Sequence, residues 1–172
     1  MTRARLSPAK TIGVFGGTFD PVHEGHLGIL RAAQKHFGFD WIYVVPTAQN
    51  PLKTRGASPL RTRLARLRSA LKPLDFAKLS LLEARQKKVT YTVDTLGHFH
   101  KRHPGAKLFF ICGSDCLNTF NRWKNPAQIL KLATLAVAHR AGFKRPSARR
   151  RFIIFPMPPI KKSSTSIRNA RS

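Results

Sequence analysis

The chain has 172 residues, 42% of them hydrophobic, with 32 Lys and Arg against seven Asp and Glu, a formal net charge of +25. Such a length suits one domain that buries roughly 70% of its unfolded surface. No apolar run approaches the ~18–20 residues of a membrane span, and residues 1–10 lack the apolar core of a signal peptide. The reading is a basic N-terminal tail over 1–10, a single domain over 11–172 and a cytoplasmic location. Thirteen Lys or Arg follow Asp115 with no acid among them. This field attracts polyanions. Non-specific nucleic-acid binding is one expectation from it, and a basic surface without a dedicated ligand is the other. Cys112 and Cys116 cannot alone make a four-ligand zinc site or a disulfide scaffold and are expected as two reduced thiols, a zinc site of both cysteines that borrows His23 and His26 being the weaker alternative.

In Thr11-Ile-Gly-Val-Phe-Gly-Gly17 a short apolar run meets two glycines, the pattern of a buried strand ending in a tight turn. After Asp20-Pro21, residues 23–37 read as a helix with Leu27, Leu30, Ala33 and Phe37 on one face. His23 and His26 fall one helical turn apart, so both imidazoles lean over the turn. Bare backbone N–H groups and a positive helix end favour phosphate there. Residues 40–45, rich in aromatic and β-branched types, make a second strand. Strand, helix, strand with short links predicts a parallel sheet. After a loop to Gly56, Ser58 caps and Pro59 opens a helix. Its buried stripe reads as Leu60, Leu64, Leu67 and Leu71, with Arg61, Arg63, Arg66, Arg68 and Lys72 facing out. Residues 76–82 are the third strand despite poor alternation. A capping threonine starts another helix at Thr90-Tyr-Thr92, with Leu96 and Phe99 inward and His98, His100 and His103 on the surface. Strands follow at 106–112, 133–138 and 152–155, with a short helix from Pro126 and a basic loop over 143–151. Pro156-Met-Pro-Pro159 bars any central strand pairing. The fold class is α/β: an open, Rossmann-like parallel sheet with helices on both faces.

The stretch Gly16-Gly-Thr-Phe-Asp-Pro-Val-His-Glu-Gly-His26 is neither a Walker loop nor a dinucleotide fingerprint, and its histidines stand one residue too close for the zinc-protease pattern. It resembles the nicotinate mononucleotide adenylyltransferase family of the nucleotidyltransferase superfamily, whose signature pairs two histidines after a glycine turn. The resemblance covers residues 11–168. It implies that His23, His26 and Arg168 stabilise the leaving phosphates, and that Gly16, Gly17, Thr18 and Phe19 offer backbone and hydroxyl donors to ATP. Lys53 would contact phosphate, in Pro51-Leu-Lys53 where the family has Pro-His-Lys; Leu52 is a departure. Thr90-Tyr-Thr-Val-Asp-Thr-Leu96 matches the family's Ser-Tyr-Thr-x-Asp-Thr-Leu, which assigns Tyr91 and Thr92 to the mononucleotide, Thr92 against its pyridine ring. Trp123 occupies the place of the family's ring-stacking tryptophan. Gly113 and Asp115 match the adenosine-binding strand end, Asp115 taking the hydroxyls. Arg140 would lie near the nucleotide, and Ser164 and Thr165 with Arg168 would hold the triphosphate. The family continues further, so ending at Ser172 reads as a shortened final helix.

The implied reaction is adenylyl transfer. Nicotinate mononucleotide attacks the α-phosphorus of ATP through its own phosphate, so no nucleophilic side chain is needed. The protein's task is to hold two anions together, a contribution of up to ~7–11 kcal/mol, and to drain charge from the leaving pyrophosphate. No protein metal site is expected; Mg²⁺ arrives with ATP, retaining waters. The implied partners are ATP and nicotinate mononucleotide, with no membrane, in a monomer or homodimer. The alternatives are another adenylyl- or cytidylyltransferase acting on phosphopantetheine or nicotinamide mononucleotide, and a non-catalytic polyanion- or RNA-binding relative.

Overall fold

The computed structural model describes residues 10–48, 58–86, 88–139 and 151–157. Strands β1 (Thr11–Gly17), β2 (Trp41–Pro46), β3 (Ala77–Leu79), β4 (Lys107–Gly113), β5 (Thr134–His139) and β6 (Phe152–Pro156) are joined with helices α1 (Glu24–Phe37), α2 (Leu60–Leu71), α3 (Thr92–Arg102) and α4 (Pro126–Leu132). Two short 3-10 segments, Ser114–Asn118 and Phe120–Arg122, follow β4. All six strands pair in parallel, in the order β3-β2-β1-β4-β5-β6. Strand order reverses between β1 and β4, and in open sheets of this kind ligands lie in the crevice beyond the carboxyl ends of those strands.

Successive residues of a strand point to opposite faces, and each central strand here is apolar on both. Ile12 and Val14 of β1 join Val45, Phe110, Leu135 and Val137 in a core under α3 and α4, with Leu96, Phe99 and Ile129. Phe15 joins Ile42, Val44, Ile111 and Ala136 in a second core under α1 and α2, with Leu30, Leu67 and Leu71. Each fully buried Leu, Ile or Phe contributes about 1.5–3 kcal/mol. Both faces of the sheet are therefore covered, as expected. Helix α1 stops where Gly38 turns left-handed at φ 60°, its amide donating to the Gln34 carbonyl at 2.9 Å.

Several expectations need correcting. The third strand is only Ala77–Leu79, because it is an edge with one neighbour and its sequence never settles into alternation. Ser58 does not cap α2: the helix opens at Leu60 after Pro59, whose ψ of 135° is extended. Arg63, expected outside, is 2% exposed. The buried stripe is Arg63, Leu67 and Leu71, with Leu64 half-buried, a small rotation of the helix that puts a guanidinium into the protein. Thr90 does not cap α3 either; Tyr91 is the cap residue and no side chain bonds there. His98 and His100 are exposed, but His103 is half-buried and lies 3.1 Å from the Tyr43 hydroxyl. Its pKa is lowered, first by burial and then by Arg102 and nearby lysines. Cys112 and Cys116 are joined as a disulfide rather than standing as reduced thiols.

Leu67→Ala should lower the unfolding free energy by about 2–5 kcal/mol, as core truncations do, and Leu64→Ala by clearly less. Equal losses in urea unfolding would contradict the rotated stripe.

Candidate active site

The glycine turn and the start of α1 are locked together by the two histidines. His23 is the cap residue of α1, in extended backbone at φ −148° and ψ 171°. The Gly25 amide donates to His23 Nδ1 at 3.0 Å. The His23 amide donates in turn to His26 Nδ1 at 3.3 Å. This is the reciprocal arrangement of a capping box, built from imidazoles in place of a hydroxyl and a carboxylate. A ring nitrogen that accepts carries no proton, so in the neutral rings the N–H is on Nε2. The ring centroids are 3.9 Å apart. A paired donor set thus stands at the positive end of a 14-residue helix, a setting that favours anions.

Phe19 closes this unit. It is 1% exposed, sits at φ 48°, and meets the His26 ring edge-on with centroids 5.0 Å apart. Its ring also lies over Gly17, where a Cβ would come within 3.1 Å of it. A side chain at 17 would push Phe19 off His26. The Thr18 hydroxyl oxygen is buried with no hydrogen-bond partner among the described residues, and the Thr18 carbonyl accepts from Arg63 at 2.8 Å.

Beyond the ends of β1 and β4 lies a cleft of about 220 Å³, its lining including Gly16, Gly17, Tyr91, Thr92, Phe110 and Trp123. Five of these six are sequence-predicted site residues, contributed by β1, by α3 and its entry, and by the segment before α4. The half-buried Trp123 ring stands edge-on to Phe110 at 5.6 Å and donates from Nε1 to Thr119 Oγ1 at 3.2 Å. Lys124 Nζ sits 4.5 Å over the Tyr91 ring and 3.5 Å from an Asp94 carboxylate oxygen. Arg122 and Lys124 also line the cleft. His23 and His26 are not among the residues lining this cleft; Phe19, whose ring lies against Gly17, meets the His26 ring.

At the end of β4, Gly113 precedes Asp115 in the expected turn. A Cβ at 113 would come within 2.5 Å of Asp115 Oδ1, so the carboxylate folds back over the glycine. Asp115 itself is exposed. Lys53, Arg140, Ser164, Thr165 and Arg168 lie outside the described residues. Among the described residues no group of three His, Cys, Asp or Glu side chains could hold a metal ion.

Two residues of the site escaped the sequence. Glu83 is 7% exposed and lines the cleft. One of its oxygens accepts from Thr95 Oγ1 at 2.6 Å and the other from the Thr47 hydroxyl. Those partners are 12 and 36 positions away, so no local pattern marks it. Arg63 did leave a signal: it is three residues after Leu60 and four before Leu67, the spacing of a buried face.

The chain matches the family model described as cytidylyltransferase-like over residues 14–170. It is 40% identical over 129 residues to the "Probable nicotinate-nucleotide adenylyltransferase" of Aquifex aeolicus, covering 75% of this chain and 77% of that protein. A protein of the same name from Thermomicrobium roseum is 35% identical over 167 residues, covering 91% of this chain and 78% of that one. Among solved structures, the Plasmodium falciparum nicotinic acid mononucleotide adenylyltransferase complexed with NaAD superposes with a TM-score of 0.79 at 19% identity. That match covers 93% of this chain and 83% of the other, and it supports the fold.

The cap itself is testable. His23→Ala should cost about 0.5–2 kcal/mol of stability, as loss of a helix cap does, and His23→Ser, which restores an acceptor, should recover most of it. Equal thermal stability of the alanine variant and the wild type would remove the capping role.

Proposed function

This chain belongs to the cytidylyltransferase-like family and, within it, to the nicotinate-nucleotide adenylyltransferases, and we propose that it joins ATP to nicotinate mononucleotide as its site geometry suggests. A phosphate oxygen of the mononucleotide attacks the α-phosphorus of ATP in line. The bond from that phosphorus to the bridging oxygen breaks, and pyrophosphate leaves with the electron pair. The product is nicotinate adenine dinucleotide, a precursor in NAD biosynthesis.

The observation that carries this reading is the reciprocal histidine cap beside an aromatic cleft, both at the reversal of strand order. His23 and His26 offer Nε2–H donors to the phosphates, fixed beforehand by the backbone they cap. Gly16, Gly17, Thr18 and Phe19 add the close backbone approach, and the buried Thr18 hydroxyl has a donor to give. Fixed donors of this kind need no reorganisation as charge moves onto the leaving group. Arg168, Lys53, Arg140, Ser164 and Thr165 complete the phosphate grip by their match to the family pattern. Gly113 and Asp115 serve the adenosine. Tyr91, Thr92 and Trp123 receive the pyridine.

The acid mononucleotide is favoured over the amide by charge. Arg122 and Lys124 line the cleft against Glu83, whose oxygens already accept two threonine hydroxyls. Mg²⁺ enters as part of the nucleotide substrate and neutralises phosphate charge. Residues 11–172 form one nucleotidyltransferase domain, working in the cytoplasm as a monomer or homodimer. Its charge of +25 draws nucleic acid non-specifically, and more weakly as salt rises. Among the described residues no helix is long and apolar enough to cross a membrane.

Pyrophosphate release from ATP and nicotinate mononucleotide tests the reading. His26→Ala should lower turnover by about 10²–10³, the usual loss for one charge-stabilising donor; wild-type turnover would take His26 out of the mechanism. Trp123→Ala should raise the KM for the mononucleotide and leave that for ATP nearly unchanged. Equal shifts in both constants would contradict pyridine stacking.

A further inference from the structure

Arg63 is an arginine in the place of a core residue. It is 2% exposed, and burial lowers its pKa against an opposing contribution from the Asp20 charge. An apolar residue would complete the stripe of α2 at no desolvation cost, whereas a buried charge is tolerated only when its polar groups are met. Among the described residues its acceptors are main-chain carbonyls. Nε donates to the Ser58 carbonyl at 3.0 Å, and Nη1 to the carbonyls of Thr18 at 2.8 Å and Thr47 at 2.9 Å. Nη2 donates to the Ala48 carbonyl at 3.2 Å. One planar fork thus fixes the turn after β1, the exit of β2 and the approach to α2. The exit of β2 is tied to β1 as well, the Thr47 amide donating to the Gly17 carbonyl at 2.9 Å. Asp20 reinforces the clasp by accepting the Ser58 amide at 2.9 Å.

The network does not stop at Arg63. The Thr47 whose carbonyl it holds donates its hydroxyl to Glu83, and Glu83 holds Thr95 of α3. Thr47, Glu83 and Thr95 all line the cleft. A continuous set of hydrogen bonds therefore runs from Thr18, beside the histidine cap, to the wall that carries Tyr91 and Thr92. We propose that Arg63 is a positioning residue for adenylyl transfer. Its guanidinium sets the phosphate turn, and the Thr47–Glu83–Thr95 limb sets the pyridine wall relative to it.

Lysine offers three donors on a flexible stem in place of a rigid fork, so Arg63→Lys keeps the charge and loses the geometry. Misplacement by about 1 Å far from the chemistry can cost 10²-fold, and turnover of Arg63→Lys should fall by about 10–100-fold. The decisive readout is a double-mutant cycle with His26→Ala, each variant assayed well below its own melting temperature. Because Arg63 acts through the turn that holds His26, adding Arg63→Lys to His26→Ala should lower turnover by less than about threefold. Losses that multiply in the double variant, or wild-type turnover in Arg63→Lys, would overturn the proposal.

If Arg63→Lys does not fold, Thr47→Val decides the second limb, since it removes the hydroxyl and keeps the carbonyl. It should raise the KM for the mononucleotide several-fold with that for ATP unchanged; no change, or equal change in both, overturns the proposal. The positioning role of Arg63 rests on the adenylyl-transfer reading. A wild-type protein inert with both substrates would sink that reading, whereas an active wild type matched by its variants would sink only the positioning role.

Discussion

The reciprocal hydrogen bonding of His23 and His26 is the constraint from which the site follows. A helix N-terminus leaves several amides without partners, and here two of the amides around it are satisfied by imidazole Nδ1 atoms. That use of the rings fixes their tautomer and brings their centroids to 3.9 Å, with the planes tilted by 35°. On the proposed function, capping and phosphate handling are one arrangement: the backbone bonds that stabilise α1 would also orient the groups proposed to meet the nucleotide, leaving little reordering when substrate binds.

The sheet supplies the place. With β1 and β4 adjacent and the chain running outward from each, their carboxyl ends mark the crevice where ligands lie in open sheets of this kind. Gly17 lets Phe19 fold back over the strand end, and Phe19 in turn supports His26. The cleft beside them is walled by aromatic and hydroxyl side chains from α3 and from the segment before α4. Polar order between the two regions is carried by Arg63 and Glu83, both buried and both bonded to partners outside their own elements.

Much of this was legible in the sequence where the signal is local. The apolar run ending in Gly16-Gly17 marks β1, the spacing of Leu27, Leu30 and Ala33 marks α1, and both held because each element's core face is written in its own period. Tyr91, Thr92 and Trp123 could be assigned to one subsite through the family pattern, and the structure brings them to one cleft. What failed was decided by tertiary contact. Hydroxyls at Ser58 and Thr90 look like caps, yet Pro59 delays α2 and Tyr91 takes the cap position of α3. An arginine among arginines looks solvated, and only the carbonyls of three separate segments explain why Arg63 is not. Glu83 gives no periodic signal, because its partners come from β2's exit and from α3. The cysteines, four apart in sequence, are bonded across the turn after β4, a pairing that spacing alone did not fix.

The central claim concerns two nitrogen atoms, and long-range ¹H–¹⁵N correlation spectra of protein labelled at histidine read them directly. The account predicts that His23 and His26, in their neutral forms, both carry the proton on Nε2 with Nδ1 accepting, and that a non-hydrolysable ATP analogue shifts the Nε2 resonances of both. A proton on Nδ1 of either ring, or Nε2 resonances indifferent to the nucleotide, would contradict it.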